Sequence, residues 1–374
     1  MRAIVSPYFE SPGPLQMLKR GQFVRHYDVA GRGQQIYLGL NDAGCSIEIA
    51  SIPEFGRSNV RESILSVHNA KYIDYLQSAW ENWSKLPNSS AEILPNISPN
   101  RYIDRFNEHP VALAGWYIAD AAAPIGENTW RNALGSASAA IEAASLLIDD
   151  RELAVYALCR PSGHHACQDM AMGMCFLNNA AIAAQILRQH FKKVAILDLD
   201  MHHGNGTQQI FYQRDDVLTV SIHGDPIDFY PFYSGFEREI GSGQGEGYNI
   251  NLPLPAGTNE TSYLRAIETA GNKIQEFGAA ALIVGAGFDT FKDDPLGCFE
   301  LESSSYSAIG KMIRSFKLPT LFIQEGGYFV PALRENVRQI VVGFESICLL
   351  KIALVHSIEH STLAWECHEQ EIFN

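Results

Sequence analysis

No apolar run in the 374-residue sequence approaches the ~20 residues that a membrane-spanning helix needs. The opening stretch MRAIVSPYFESPG has too short an apolar core for a secretory signal, so a cytoplasmic location without a membrane partner is expected. Cysteine is sparse and scattered: Cys45, Cys159, Cys167, Cys175, Cys298, Cys348 and Cys367 are odd in number and contain no CxxC pair. Neither a disulfide framework nor a cysteine-built zinc site is suggested. Acidic and basic blocks, internal repeats, low-complexity tracts and long linkers are all missing. The formal charge of -14 argues against non-specific nucleic-acid binding, which relies on lysine and arginine to release counterions.

Hydrophobic residues make up 46% of the chain, enough for a sizeable core in one large α/β domain or two smaller ones. Their arrangement is an alternation. Short β-branched runs at 153–159, 194–200, 217–223, 280–287 and 320–327 are apolar on both faces and predict buried parallel strands. Segments 67–83, 131–148, 175–191, 260–277, 303–316 and 330–354 carry apolar residues three or four apart and predict helices. Strand followed by helix, repeated, implies a doubly wound, mostly parallel sheet with helices on both faces.

In such sheets ligands bind beyond the carboxyl ends of the strands. There the sequence places His164 and His165, then Asp198, Asp200 and His202, then Asp289, and finally Tyr328. In DLDMHHGNGTQ (198–208) the side chains at i, i+2 and i+4 share a face while the chain stays extended. A lone DxD at a strand end more often belongs to a capping or charge-pairing network. Asp289, in GAGFDTFKDDP, brings a third donor from another strand end, beside glycines that permit close backbone approach. Asp200, His202 and Asp289 would leave one coordination position open, the pattern of a catalytic zinc, although Fe2+, Co2+ or Mn2+ would also accept this donor set. Asp293 and Asp294 precede Pro295 and are expected to cap a loop.

RPSGHHA, GMCFLNNAAIAA, ILDLDMHHGNGTQ, VSIHGDP, GAGFDTFKDDPLG and QEGGY, in this order, resemble the motif set of the histone deacetylase and acetylpolyamine amidohydrolase superfamily. Their variants look closer to acetylpolyamine amidohydrolases and class II deacetylases. The resemblance implies an arginase/deacetylase-type fold in a single catalytic domain over 1–374, with 84–130 as an inserted loop region at the active-site entrance. It implies a zinc-dependent deacetylase that attacks an acetylated small-molecule amine with metal-activated water, the alternative substrate being acetyl-lysine in proteins. Asp200, His202 and Asp289 match the zinc ligands. His164 and His165 match the paired histidines beside the metal-bound water, partnered by Asp198 and Asn205, and Tyr328 matches the tyrosine that polarises the substrate carbonyl. Gly173 matches the residue whose carbonyl accepts the substrate amide N–H, while Met174 and Tyr230 fall on the tunnel walls. A structural K+ would be held by Asp198, Ser221, Ile222 and the backbone of Asp200 and His202. A homodimer is implied too, its inserted loop offering acidic side chains to distal amines.

Glu108, Asp120 and Glu127 are available in that loop, but surface charge is the reading favoured for each. His203 and His223 are expected to support or pack, and His68 to lie on a helix surface or in a turn. His356, His360, His368 and Cys367 form no recognised metal spacing. The glycines of GSGQGEGYNINLPLPAGT (241–258) lack the GK[ST] of a phosphate loop and are expected to shape the active-site rim. An arginase-like ureohydrolase would need two manganese ions and more bridging carboxylates, and a non-catalytic binding module would not need all of the expected catalytic side chains.

Overall fold

The computed structural model describes residues 1–52, 55–56, 58–149 and 152–346. Its order is β1 (Arg2–Val5), β2 (Gln16–Lys19), β3 (Gln22–Arg25), α1 (Ala30–Asp42), β4 (Ser46–Ile49), α2 (Ser58–Leu65), α3 (Ala70–Ser84), α4 (Pro110–Tyr117) and α5 (Thr129–Asp149). Then come β5 (Ala154–Leu158), α6 (Asn179–His190), β6 (Val194–Asp198), α7 (Asn205–Phe211), β7 (Val217–Gly224), β8 (Asn249–Leu254), α8 (Glu260–Phe277), β9 (Ala281–Ala286), α9 (Ser303–Ser315) and β10 (Thr320–Gln324). Residues 330–346 form a further helix, α10, whose expected continuation to 354 lies outside the described residues, as do Cys348, Cys367 and the histidines at 356, 360 and 368.

Eight strands join in one sheet in the order β4-β1-β5-β10-β9-β6-β7-β8, and β2 and β3 form a separate hairpin. Every pairing in the large sheet is parallel. The five runs expected as strands are all present, and β1, β4, β8 and the hairpin add to them. Side chains alternate between two cores: Val155, Ala157, Ile196, Ile283 and Leu321 face one, with α3, α5 and α6. Tyr156, Leu158, Leu197, Val284 and Phe322 face the other, with α8, α9 and α10. Burial on both faces explains why these strands read as continuous apolar runs.

Helix boundaries follow local capping. The run 175–191 becomes helical only at Asn179 because the side chain of Asn178 accepts the Ala181 N–H and starts the helix there. Helix α8 begins where Asn259 accepts the Ser262 N–H, and it stops at Gly278, whose φ of 75° suits a left-handed cap.

Asp28, between β3 and α1, joins the amino end to the sheet centre. Its Oδ1 accepts hydrogen bonds from Arg32 Nη1 at 2.5 Å and Arg160 Nε at 2.8 Å. Arg32 also donates to the carbonyls of Gly327 and Glu325, on the loop after β10. Burial opposes the Asp28 charge, but Arg160 and Arg32 outweigh it and hold its pKa at about 2, against 3.8 ordinarily. A depressed carboxylate pKa stabilises the fold at pH values above the unfolded pKa, and the contribution disappears as pH falls through the folded one. The shift corresponds to about 2 kcal/mol. We predict that Asp28→Asn lowers stability by about that much near neutral pH, and that the gap to wild type narrows as pH drops from about 4 towards about 2 in urea titrations. A gap independent of pH would contradict the assignment.

Candidate active site

Strands β5, β10, β9 and β6 are consecutive neighbours in the sheet, and their carboxyl ends converge on one edge. The loop after β5 carries His164 and His165, whose ring centroids lie 4.0 Å apart. His164 Nδ1 lies 2.9 Å from Asp198 Oδ2, and His165 Nδ1 lies 2.7 Å from Asn205 Oδ1. Both partners present oxygen, so each Nδ1 donates and each Nε2 is directed elsewhere. The rings differ electrically. Burial alone would drive His164 neutral, but Asp198 and Asp200 overrule it and raise its pKa well above the ordinary value. His165 goes the other way: burial, then the neighbouring His164 and His202, lower its pKa well below normal.

Chain geometry beyond β6 differs from the extended alternation expected from the sequence. The strand ends at Asp198, whose Oδ1 accepts the Asp200 N–H, and Asp200 Oδ1 in turn accepts the His202 N–H. Each aspartate thus folds the backbone two residues ahead, as aspartates do in turns. Asp198 is directed to His164, while Asp200 and His202 turn towards Asp289, which also accepts the Met201 N–H.

Asp200, His202 and Asp289 place one donor atom each within 4.8 Å of one another. His202 Nδ1 is 3.2 Å from Asp200 Oδ1 and 3.0 Å from Asp289 Oδ2. Both carboxylates are essentially inaccessible to water, at 1% and 0% exposure, so the cluster strongly favours positive charge between them. Burial works against charge on His202, yet the hydrogen bonds to Asp200 and Asp289 push its pKa up to about 10. Burial and the Asp200 charge push Asp289 up to about 7. Two glycines make room for the carboxylates. A Cβ at Gly326 would lie 2.5 Å from Asp200 Oδ2 and 2.6 Å from Asp289 Oδ2, and one at Gly287 would also strike Asp200. The donor set and its cradle fit a divalent cation of the zinc type.

Glu325 stands outside the set expected from sequence. It is fully buried beneath the paired histidines, and its Oε2 accepts the Gly163 N–H at 2.8 Å and the His164 N–H at 3.2 Å. Its Oε1 has no hydrogen-bond partner among the described residues, and burial pushes the Glu325 pKa up to about 8. The available signal was a carboxylate directly after a strand apolar on both faces. Tyr328 follows on the same loop. Its N–H and that of Phe329 bind Asp294 Oδ2, so Asp294 caps a loop as expected, and Arg32 lies 4.7 Å above its ring.

Gly173 and Met174 have φ of 54° and 68°, and a Cβ on Gly173 would collide with the His165 ring. Tyr230 packs edge-on to His165 at 5.0 Å. Met174 borders a cavity of about 250 Å3 that also touches Leu15, Glu92, Glu127 and Asn132. Of the three acidic loop residues, Glu108 is exposed, and Glu127 is exposed at that cavity. Asp120 departs from the surface-charge expectation: its carboxylate accepts the Tyr230 hydroxyl at 2.6 Å. Ser221, level with Asp198 across β6 and β7, hydrogen-bonds His223 Nδ1. Ile222 is the next residue of β7.

His203 and His223 support the site, through Gln208 Oε1 and the Gly235 carbonyl respectively. His68 does lie in a bend, but it is buried rather than on the surface; Nδ1 binds the Cys167 carbonyl and Nε2 accepts the Asn178 N–H. The glycines at 241–247 do not shape the rim. They precede β8, and Gly245 packs on Tyr212 and Arg214 before β7 while the Ser242 N–H binds the Tyr212 carbonyl, at the amino ends of the strands, opposite the site.

A profile of the Histone deacetylase domain matches residues 26–344. An acetylpolyamine amidohydrolase of Burkholderia pseudomallei is 43% identical over 291 residues, covering 76% of this chain and 83% of that protein. One from Mycoplana ramosa is 37% identical over 344 residues, covering 92% and 99%. The crystal structure of the acetylpolyamine aminohydrolase from Burkholderia pseudomallei superposes with a TM-score of 0.87 at 37% identity, over 92% of this chain and 99% of that one.

Gly326→Ala provides a test of the cradle. It should weaken retention of a divalent cation by at least about tenfold in equilibrium dialysis, because the added methyl displaces the Asp200 and Asp289 carboxylates. Unchanged affinity in a variant that melts normally would contradict the cradle.

Proposed function

The chain belongs to the histone deacetylase domain family, and from that premise we propose that it is a zinc-dependent amidohydrolase removing acetyl groups from small acetylated amines, acetylpolyamines first. The observation that carries this reading is the pairing of two unequal histidines with a buried centre of two carboxylates and one imidazole. The names of the similar proteins support the substrate class. We read residues 1–374 as one catalytic domain.

Asp200, His202 and Asp289 would hold the cation, with Zn2+ the first choice and Fe2+, Co2+ or Mn2+ as substitutes. A bound cation of this kind supplies Lewis acidity, lowering the pKa of water and polarising a carbonyl. His165, held neutral, accepts the proton from water at Nε2 and passes it to the departing amine nitrogen. His164, paired with Asp198, stays protonated and stabilises the negative charge that develops beside it. Asn205 fixes the His165 tautomer without adding a charge, which leaves the ring free to cycle. Tyr328 donates its hydroxyl to the substrate oxygen as that atom gains charge. The Gly173 carbonyl accepts the substrate amide N–H between walls formed by Met174 and Tyr230.

Asp198, Ser221, Ile222 and the backbone of Asp200 and His202 would hold a structural K+. Exposed Ile97, Tyr102, Ile103 and Phe106 in the 84–130 segment support pairing with a second copy. Among the described residues no helix is long and apolar enough to cross a membrane.

We predict that His165→Ala and Tyr328→Phe each lower kcat by at least about 100-fold, the usual scale of a general base or oxyanion donor, while retaining metal. Near-normal turnover in both would remove their roles. Comparison of kcat/KM for acetylputrescine, acetylspermidine and an acetyl-lysine peptide decides the substrate class. A strong preference for the peptide would replace the small-amine reading with a protein deacetylase.

A further inference from the structure

We propose that Asp120 is a positioning residue that ties the two walls of the substrate tunnel together at the depth of the scissile amide. The inference rests on the amide-hydrolysing function proposed above. Asp120 arrives by a built path: Ala119 N–H binds the Ala171 carbonyl and Ala171 N–H binds the Tyr117 carbonyl, both at 2.8 Å, so residues 117–120 run beside 171–173. Its Oδ1 accepts the Ala122 N–H at 3.0 Å and the Gly173 N–H at 3.3 Å. Its Oδ2 accepts the Tyr230 hydroxyl at 2.6 Å and lies 3.4 Å from the same Gly173 nitrogen. One carboxylate therefore grips the backbone of one wall and the side chain of the other.

Local backbone energetics explain the need for a grip. Gly173 and Met174 are consecutive residues with positive φ, and for Met174 this conformation is disfavoured. A peptide held there must be fixed from outside, and its orientation sets the direction of the Gly173 carbonyl. Depth separates this role from recognition of a distal ammonium group. A Cβ on Gly173 would fall 2.4 Å from His165 Cδ2, while the Tyr230 ring lies 5.0 Å from His165 and 6.1 Å from His202. Both partners of Asp120 thus stand beside the proton-handling ring. The Tyr230 hydroxyl has a single proton, and it is directed to Asp120 rather than to substrate.

The test measures kcat and KM on an acetylated diamine with zinc-loaded wild type, Asp120→Ala, Asp120→Asn, Tyr230→Phe and the Asp120→Ala/Tyr230→Phe double variant. Loss of a charged hydrogen bond at this position should lower kcat of Asp120→Ala by about 10- to 100-fold. KM should move by less than about threefold, with melting temperature and metal content unchanged. Asp120→Asn should recover part of the loss, since its single amide oxygen, placed at the Oδ2 position, can still accept from the Tyr230 hydroxyl while its NH2 group cannot replace Oδ1 as an acceptor. In the double variant the two losses should overlap instead of multiplying. If Asp120→Ala fails to fold, Tyr230→Phe and Asp120→Asn carry the test alone. The proposal is overturned by wild-type kcat in Asp120→Ala or, failing that variant, in both Tyr230→Phe and Asp120→Asn. Independent, multiplying losses overturn it too, as does a loss confined to KM that grows with the number of positive charges on the substrate. Absence of hydrolysis in wild type overturns the underlying function, and the inference with it.

Discussion

Two carboxylates that face each other without water are the constraint on which the site depends. Asp200 and Asp289 come from the loops after neighbouring strands β6 and β9, with the His202 ring between them and His164 Nε2 3.8 Å from Asp200 Oδ1. Holding two buried negative charges together is unfavourable unless a positive charge lies between them. The surroundings are shaped accordingly. Gly287 and Gly326 leave space where any Cβ would intrude, and the Met201 and Gly326 N–H groups hold the carboxylate oxygens in place. The parallel sheet places three chain segments at one point with a precision that an isolated loop lacks.

The paired histidines show how one local motif acquires two chemistries. Adjacent in sequence and almost in ring contact, they differ because one nitrogen meets a carboxylate and the other an amide. Once His164 is charged, its field suppresses a proton on His165, so the two rings take opposite protonation preferences without a change of residue type. Glu325 anchors the turn from below, and the Asp28–Arg32–Arg160 cluster anchors the loop that carries Tyr328.

Much of this was legible in the amino-acid sequence, and for physical reasons. Strands buried on both faces are continuous apolar runs, and the polar residues after them must lie at their carboxyl ends; hence the histidine pair, Asp198, Asp200, His202, Asp289 and Tyr328. Less legible was whatever depends on contact between distant segments. Strands β1 and β4 are four residues each and carry no periodicity to read. His68 looked ordinary because nothing near it in sequence reveals that its two nitrogens bridge Cys167 and Asn178. Asp120 was one acidic side chain among several until the structure placed it against Tyr230. The path after β6 was misjudged for a local reason: aspartates that accept N–H groups two residues ahead bend a chain whose alternation alone reads as strand.

The position of β10 bears on how the molecule is made. It is the last strand among the described residues, yet it lies between β5 and β9 near the middle of the sheet. Until a ribosome has delivered residues 320–324, the earlier strands can form only two separate leaves, β4-β1-β5 and β9-β6-β7-β8, each ending in a bare hydrogen-bonding edge. Asp200, His202 and Asp289 belong wholly to the second leaf and exist before the leaves are joined. Glu325, Gly326 and Tyr328 come with the joining strand. A nascent chain stalled just short of β10 would therefore expose two adhesive strand edges beside an unfinished charged centre, and the hazard for a chain of this topology is greatest during translation.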